Sequence, residues 1–266
     1  MRASFPPVRC LLWLTSTAGF LCLGSALSGH APPLSWVIPL LGLHALVATL
    51  GVLLPGLAVY GDVLSRGPRT RPEVALTFDD GPHPETTRRV LAILREHGVT
   101  ATFFVLGEKA RAHPDVVREI VQAGHGLGLH GYTHDRLYSL RSSARVAADL
   151  ENARAALHDA AGIATALFRP PVGFVSHAVA LAADRAGLTL VGFSARTRDG
   201  SPHAEPQAVL ARAERALSNG AVLVLHDAPE RGEHVPASLA VLSELCRELG
   251  RRGLRPVTVD ALLRAD

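Results

Sequence analysis

The chain has 266 residues, of which 48% are hydrophobic, and its mean hydropathy of +0.21 is high for a protein wholly dissolved in water. The formal net charge is only +3 and the arginines are scattered, without a basic stripe interleaved with aromatic residues, so we do not expect nucleic-acid binding. The three cysteines, two of them in the apolar N-terminal region, exclude a disulfide framework and a Cys-x-x-Cys metal site.

Residues 1–60 form the most apolar part of the chain and are predicted to be a membrane anchor. Residues 10–29 contain no charged side chain, and residues 34–60 contain no acidic or basic group except His44. Because about 20 apolar residues in a helix cross a bilayer core, we expect two transmembrane helices, at about 10–29 and 34–60. The alternative for the first segment is a cleaved signal peptide.

Positive charge flanks the two predicted spans and is missing between them. The flanking residues are Arg2 and Arg9 before the first span and Arg66, Arg69 and Arg71 after the second. Because Lys and Arg are retained on the cytoplasmic side, this pattern predicts a hairpin with both ends in the cytoplasm. The catalytic domain would then face the cytoplasm and the membrane lipid. A single inserted span would instead place it outside the cytoplasm.

After a predicted linker over residues 61–72, short apolar strands alternate with amphipathic helices to the end of the chain, residues 73–266. The predicted strands are 74–78, 100–106, 126–130, 166–168, 188–193, 221–225 and 256–259. The predicted helices are 84–97, 114–123, 142–160, 176–186, 206–217 and 236–249. This alternation is typical of an α/β fold with a parallel sheet, and we expect the sheet to close into a barrel.

Two adjacent carboxylates end the first strand of this domain. The apolar run Val74–Phe78 leads into Asp79 and Asp80, and Gly81-Pro82 then forces a turn. Adjacent strand residues normally point to opposite faces, but at a strand end both carboxylates can face one pocket. A single Asp here would more simply cap the turn. Because parallel sheets build their chemistry at the C-terminal strand ends, we predict a functional site at the pair.

Other strand ends carry groups that suit a metal site. His130 and His134 are four residues apart, which predicts one face of a helical turn and, together with Asp80, a set of metal ligands with open positions. Surface or core histidines are the simpler alternative. These donors suit Zn²⁺ first, and also Co²⁺, Ni²⁺ or Fe²⁺. Arg169 ends the next strand and could hold Asp79 through a bidentate contact or simply cap the sheet edge.

The ordered motifs resemble those of the polysaccharide deacetylases with a NodB-type domain, carbohydrate esterase family 4. They are Thr-Phe-Asp-Asp-Gly-Pro, His-x-x-x-His, Arg-Pro-Pro-x-Gly, a later Asp, and a strand ending in His-Asp, within residues 72–262. The resemblance implies a distorted (β/α) barrel of about seven strands. It also implies a hydrolase that uses a metal to remove N-acetyl groups from the amino sugars of a glycan. No protein partner is inferred.

The resemblance assigns a role to each motif residue. The implied catalytic residues are the base Asp79, its orienting partner Arg169, the general acid His226 and the supporting Asp199. The implied metal ligands are Asp80, His130 and His134. The implied substrate-binding residues are Pro170, Pro171, Val172 and Leu225. Val172 is the first residue after the two prolines with a backbone N–H, which would help to hold the oxyanion.

Several positions depart from the family pattern while every reactive group is retained. The departures are Gly131, Val172, Arg196, Gly200 and Val224, and they thin the walls of the sugar pocket. They leave open whether the substrate is peptidoglycan, a chitin-like oligomer or a lipid-linked amino sugar. The alternatives are a non-catalytic carbohydrate-binding relative and another metal-dependent enzyme, such as a deformylase or a phosphoesterase. Phosphate handling would favour a Gly-rich loop or an Arg pair, and neither is recognised in the sequence.

Overall fold

The computed structural model describes residues 6–264, which begin with two long helices, α1 (Pro7–Leu27) and α2 (Leu34–Leu53). Both helices are long and apolar enough to cross a membrane, and little of either is buried inside the protein. Thr15 Oγ1 and His44 Nδ1 lie 3.0 Å apart between them. The second helix ends earlier than predicted because Pro55 disfavours a helical conformation at the residue before it.

A mainly parallel sheet forms the centre of the rest of the chain. Its nine strands within residues 6–264 are β1 (Val63–Leu64), β2 (Glu73–Asp79), β3 (Thr102–Val105), β4 (Gly126–Leu129), β5 (Leu167–Phe168), β6 (Thr189–Val191), β7 (Ala195–Arg196), β8 (Ala221–His226) and β9 (Arg255–Pro256). The strand order is β1-β6-β5-β4-β3-β2-β8-β7, with β9 beside β2. Only residues 192–194 separate β6 from β7, although these strands lie near opposite ends of that order. The two edges therefore approach each other, and the sheet curls into the distorted (β/α) barrel that was predicted.

Helices cover the outside of this sheet. They are α3 (Thr86–Glu96), α4 (Gly107–Ala112), α5 (Pro114–Gln122), α6 (Ser143–Ala161), α7 (His177–Arg185), α8 (Pro206–Ala216) and α9 (Ser238–Arg251), whereas α10 (Val259–Leu263) packs against the opposite face of the strands, with Ala75, Phe104 and Val222. Side-chain caps begin three of them, because the hydroxyls of Ser142, Ser176 and Thr258 accept hydrogen bonds from backbone N–H groups of the first turn.

Strands β1 and β7 were not predicted from the sequence, although β5, which is equally short, was. Strands β1 and β7 have two residues each, too few for a period of alternation to show. Val63 and Leu64 lie in the segment predicted as a linker, yet they pair with Leu190 and Val191 of β6. The strand predicted over 256–259 is wrong beyond Pro256, because Thr258 caps helix α10.

Strand β2 lies at the centre of the core, with every residue buried between β3 and β8. The rings of Phe78 and Phe103 stack at 5.1 Å, and full burial of one such side chain stabilises the fold by about 1.5–3 kcal/mol. The register between β2 and β8 places Asp79 directly beside His226. The hydrophobic core thus fixes two polar residues at the same edge of the sheet.

Candidate active site

A cavity of about 480 Å³ opens at the C-terminal ends of the strands, and the predicted reactive side chains line it. Those that line it are Asp79, Asp80, His130, His134, Arg169 and His226. Asp199 lies directly behind His226 and is fully buried. Five separate stretches of sequence therefore meet in one place, because parallel strands end at a common edge.

The turn after β2 directs both carboxylates toward the cavity. Asp80 has a φ of +73°, a left-handed conformation that Asp adopts more readily than most residues, so the strand's alternation ends between Asp79 and Asp80. Gly81 follows, and a Cβ atom there would lie 2.2 Å from Oδ2 of Asp227. Only glycine fits this close approach.

Arg169 holds Asp79 in place. Its Nη1 donates to Asp79 Oδ1 at 2.7 Å and to Thr77 Oγ1 at 2.8 Å, and its Nη2 donates to the carbonyl of Gly192 at 2.9 Å. The guanidinium lies over the ring of Phe104, 4.1 Å from the centroid. Such a fully buried cation is stable only with a paired anion and satisfied donors, so Asp79 and Arg169 form one rigid unit.

Asp80, His130 and His134 form a cluster in which one ligand atom from each lies within 4.8 Å of the others. Nε2 of His130 is 3.4 Å from Asp80 Oδ1, and Nε2 of His134 is 3.5 Å from the same atom. That oxygen is buried and makes no hydrogen bond, whereas buried polar atoms normally have a partner. The donor set and this orphaned oxygen fit a divalent cation.

A backbone carbonyl orients the second ring nitrogen of His130, and burial affects the charge of both histidines. Nδ1 of His130 lies 2.8 Å from the carbonyl of Arg169, so it is the donor and leaves Nε2 free for a metal. Burial lowers the pKa of His134, which favours the neutral imidazole that binds metals. Burial opposes charge on His130 as well, but Asp79 and Asp80 raise its pKa, so a bound cation would compete with a proton there.

The predicted helical turn between the two histidines is wrong. His130 follows the end of β4, and residues 130–137 form no helix. Gly131 has a φ of +85°, which turns the chain out of any helical path directly after His130. The two rings converge through this loop, with centroids 5.3 Å apart, rather than through helical spacing.

Glu230 is a site residue that the sequence analysis did not identify. Its Oε1 lies 3.3 Å from Nδ1 of His134, which forms no hydrogen bond. Arg136 donates to both carboxylate oxygens of Glu230, at 2.7 and 2.8 Å. Glu230 belongs to the loop after β8 and carries no motif, so only its proximity to His134 reveals it.

His226 and Asp199 form a hydrogen-bonded pair at the end of β8. Nδ1 of His226 lies 3.0 Å from Asp199 Oδ1, and the backbone N–H of His226 donates to Asp199 Oδ2 at 2.8 Å. Thr197 Oγ1 also donates to Asp199, at 2.6 Å. Burial alone would lower the pKa of His226, but the Asp199 carboxylate raises it to about 10. The Asp199 carboxylate thus favours the protonated ring, whose Nε2 lies 3.9 Å from Asp80 Oδ2.

A second set of buried polar groups supports the turn from below. Lys109 donates through Nζ to the carbonyls of Asp80 and Pro229, at 2.8 and 2.9 Å. Thr87 donates to Asp227, and burial raises the pKa of that carboxyl to about 7. Lys109 lies on α4, and neither the residue's role nor this helix was predicted from the sequence.

The predicted substrate-binding residues do not all reach the cavity. Val172 lines it and has a φ of +63°, which is rare for a β-branched residue. Pro170 and Pro171 are buried and are not among the lining residues. Leu225 is fully buried in the core, because strand residues alternate and Val224 and His226 face the cavity. We therefore transfer the wall position predicted for Leu225 to Val224.

Comparison with known proteins identifies the family. The sequence profile of the family described as polysaccharide deacetylase matches residues 66–191. A peptidoglycan-N-acetylglucosamine deacetylase of Bacillus cereus is 32% identical over 200 residues, which cover 74% of this chain and 91% of that protein. A chitooligosaccharide deacetylase of Sinorhizobium fredii is 36% identical over 205 residues, which cover 72% of this chain and 94% of that protein.

Solved structures share the fold. The crystal structure of a peptidoglycan N-acetylglucosamine deacetylase superposes with a TM-score of 0.70 at 30% identity, covering 76% of this chain and 92% of the other. A family 4 pseudoenzyme from Bacillus anthracis superposes with a TM-score of 0.68 at 26% identity, covering 75% of this chain and 68% of the other. The motifs, the barrel and the similarity to both groups of proteins agree, and the chain belongs to the polysaccharide deacetylase family.

Proposed function

We propose that this protein is a metal-dependent N-deacetylase that hydrolyses the acetamide of amino sugars in a glycan. The observation that carries the proposal is the meeting of two proton-transfer groups, Asp79 and His226, with Asp80 and its two histidines in one cavity. The named activities of the relatives supply the substrate class, an N-acetylated glycan.

Asp80, His130 and His134 would hold the cation, with Zn²⁺ favoured and Co²⁺, Ni²⁺ or Fe²⁺ as alternatives. When bound, a divalent metal would supply Lewis-acid polarisation of the acetamide carbonyl and of the attacking water. The three residues leave coordination positions open for this purpose, as catalytic sites require.

Asp79 would accept the proton of the attacking water. Arg169 fixes one carboxylate oxygen, Oδ1, so the other is left to face the cavity. A base that is held rigidly beside the reacting atoms loses little entropy in the transition state. Val172 would contribute to the wall that surrounds the developing oxyanion, through its strained backbone at the cavity edge.

His226 would donate a proton to the leaving amine. An amine leaves an amide poorly unless it is protonated, so a protonated group must face the nitrogen during cleavage. Asp199 keeps the imidazolium form and directs it through Nδ1, which leaves Nε2 to act.

The membrane anchor is part of the same proposal, as are the domain limits 1–60, 61–72 and 73–266. The side chain of Arg9, near the start of α1, donates to the carbonyl of Ala58 at 2.9 Å and contacts Asp62 at 2.9 Å. These contacts support a hairpin, because they place the start of the first helix beside the end of the second. Two crossings return the chain to its starting side, and the arginine pattern favours the cytoplasmic face.

Replacement of Asp79 by Asn tests the catalytic proposal. The isosteric amide keeps an oxygen that can accept from Arg169, although this buried cation loses its counter-ion, and it cannot accept the proton. Deacetylation of chitooligosaccharides and of peptidoglycan by the folded variant should therefore fall by about 10²- to 10⁴-fold. Elemental analysis of the same preparation should show unchanged metal content. Full activity of Asp79→Asn would remove Asp79 from the mechanism, and a parent protein that binds these glycans without releasing acetate would favour the non-catalytic alternative.

A further inference from the structure

Two arginines on one wall of the cavity have no acidic partner. Arg196 and Arg198 both line the cavity with exposed side chains, and within residues 6–264 neither forms an ion pair. The other two cavity arginines are neutralised, Arg169 by Asp79 and Arg136 by Glu230. The surplus positive charge of the cavity therefore lies at Arg196 and Arg198.

Arg196 is held in place although it has no counter-ion. Its Nη2 donates to the carbonyl of Val172 at 3.0 Å, and its guanidinium lies 4.9 Å from the centroid of the Phe193 ring. Partial burial and the neighbouring charge of Arg198 lower the pKa of Arg196, with only Asp79 opposing them. Keeping two cations together in this way costs free energy that a bound anion would recover.

The backbone explains why the pair escaped the sequence analysis. Arg196 ends β7, and Thr197 is fully buried with its hydroxyl on Asp199 and on the carbonyl of Val224. Arg198 then has a φ of +60°. Because the side chain of Thr197 is buried in the protein interior, the neighbouring side chains of Arg196 and Arg198 extend from the wall into the cavity. No Gly-rich motif marks these two residues in the sequence.

The same wall lies close to the membrane helices. Val175, which follows the cavity residues Val172 and Gly173, donates its backbone N–H to the carbonyl of Val52 in α2 at 3.4 Å. The rings of Tyr60 and His177 meet a little further along, with centroids 6.5 Å apart. A substrate that remains attached to the membrane could therefore reach Arg196 without leaving its lipid.

We propose that Arg196 and Arg198 form an anion subsite that binds the phosphate of a lipid-linked N-acetylated amino sugar. Guanidinium groups present paired N–H donors that match phosphate oxygens. Two guanidinium groups carry two positive charges, which a doubly charged phosphate or diphosphate ligand balances better than a ligand with a single carboxylate. The inference rests on the proposed deacetylase function, because the acetamide would have to lie between Asp79 and His226 while the phosphate contacts the arginines.

Selectivity between matched substrates tests the subsite. The full chain in lipid nanodiscs is assayed with three acetamido sugars: neutral diacetylchitobiose, soluble N-acetylglucosamine 1-phosphate, and N-acetylglucosaminyl diphosphate polyprenol. The double variant Arg196→Gln, Arg198→Gln should lower the preference for phosphate over neutral substrate, as a ratio of kcat/KM, by about 10- to 100-fold, mainly through KM. The charge-matched control Arg185→Gln, Arg215→Gln replaces exposed arginines on α7 and α8 and should keep the parental ratio.

The outcomes separate the subsite, its lipid source and the deacetylase function. An unchanged ratio in the Arg196, Arg198 double variant would overturn the subsite, as would an equal fall in the control. Equal KM values for the soluble and the lipid-linked phosphate would keep the subsite and overturn the membrane source. Equilibrium binding of both phosphate sugars is measured in parallel. If the parent releases no acetate but still binds them through the two arginines, the deacetylase function fails while the subsite stands.

Discussion

Replacement of Asp199 by Asn should change the pH at which the protein loses activity. With its oxygen toward Nδ1 of His226, the amide keeps the 3.0 Å contact with the ring but removes the negative charge, and its NH2 group replaces the oxygen that accepts from the backbone N–H of His226. A general acid works only while it is protonated, and the raised pKa of His226 keeps it protonated until the pH approaches about 10. Burial lowers the pKa of His226, and the Asp199 charge offsets this lowering. Without that charge the pKa of His226 falls.

The size of the effect follows from the buried contact. Loss of an opposite charge at hydrogen-bonding distance lowers a histidine pKa by about 1–3 units, and each unit corresponds to 1.36 kcal/mol. The alkaline limb of kcat/KM should therefore move from near 10 to about 7–9. At pH 9 the protonated fraction of His226, and with it the rate, should be lower than in the parent by about 2- to 100-fold, while near pH 6 the two proteins should differ much less.

The assay is acetate release from a chitooligosaccharide between pH 5 and 10.5, with both proteins loaded with the same metal so that its charge acts equally on both. Thr197→Val is the matched control, because it removes a 2.6 Å hydrogen bond to Asp199 but leaves the carboxylate charge. We expect the control to move the limb by less than about one unit. Coincident alkaline limbs for Asp199→Asn and the parent, with His134 and the metal intact, would refute the assignment of His226 as the acid.

Three other results are expected. His134→Ala should lose most of its bound metal in elemental analysis, because one of three protein ligands is removed, and full occupancy would exclude the proposed ligand set. Glu230→Gln should weaken metal affinity about 10- to 100-fold in a chelator competition, because the negative charge 3.3 Å from His134 Nδ1 is lost, whereas Glu233→Gln, in the same loop, should match the parent. A fluorescent-protein fusion at the C-terminus should be bright and an alkaline-phosphatase fusion inactive if the catalytic domain is cytoplasmic; the opposite pair would place the domain outside.

Residues at the ends of long strands could be placed from the sequence, and residues on loops could not. Asp79 and His226 end strands of seven and six residues whose buried runs are visible as apolar stretches, so their meeting at one edge follows from the parallel sheet. Glu230 and Lys109 reach the same site from a loop and from a six-residue helix. No periodicity marks those segments, because their positions depend on tertiary contacts such as the Lys109 bonds to the carbonyls of Asp80 and Pro229.

Overall similarity of fold does not separate active members from inactive ones, since a pseudoenzyme superposes nearly as well as a deacetylase, with TM-scores of 0.68 and 0.70. The energetics of this site separate an active enzyme from an inactive relative better than similarity of fold does. A buried carboxylate oxygen without a partner, as at Asp80 Oδ1, costs about 1–3 kcal/mol, and a β-branched residue at positive φ, as at Val172, costs a similar amount. A protein that only bound glycan, through the walls of the cavity, would gain nothing from either feature. Both become favourable when a cation satisfies Asp80 and a reacting acetamide lies against Val172, so the strained and unsatisfied groups favour the catalytic interpretation.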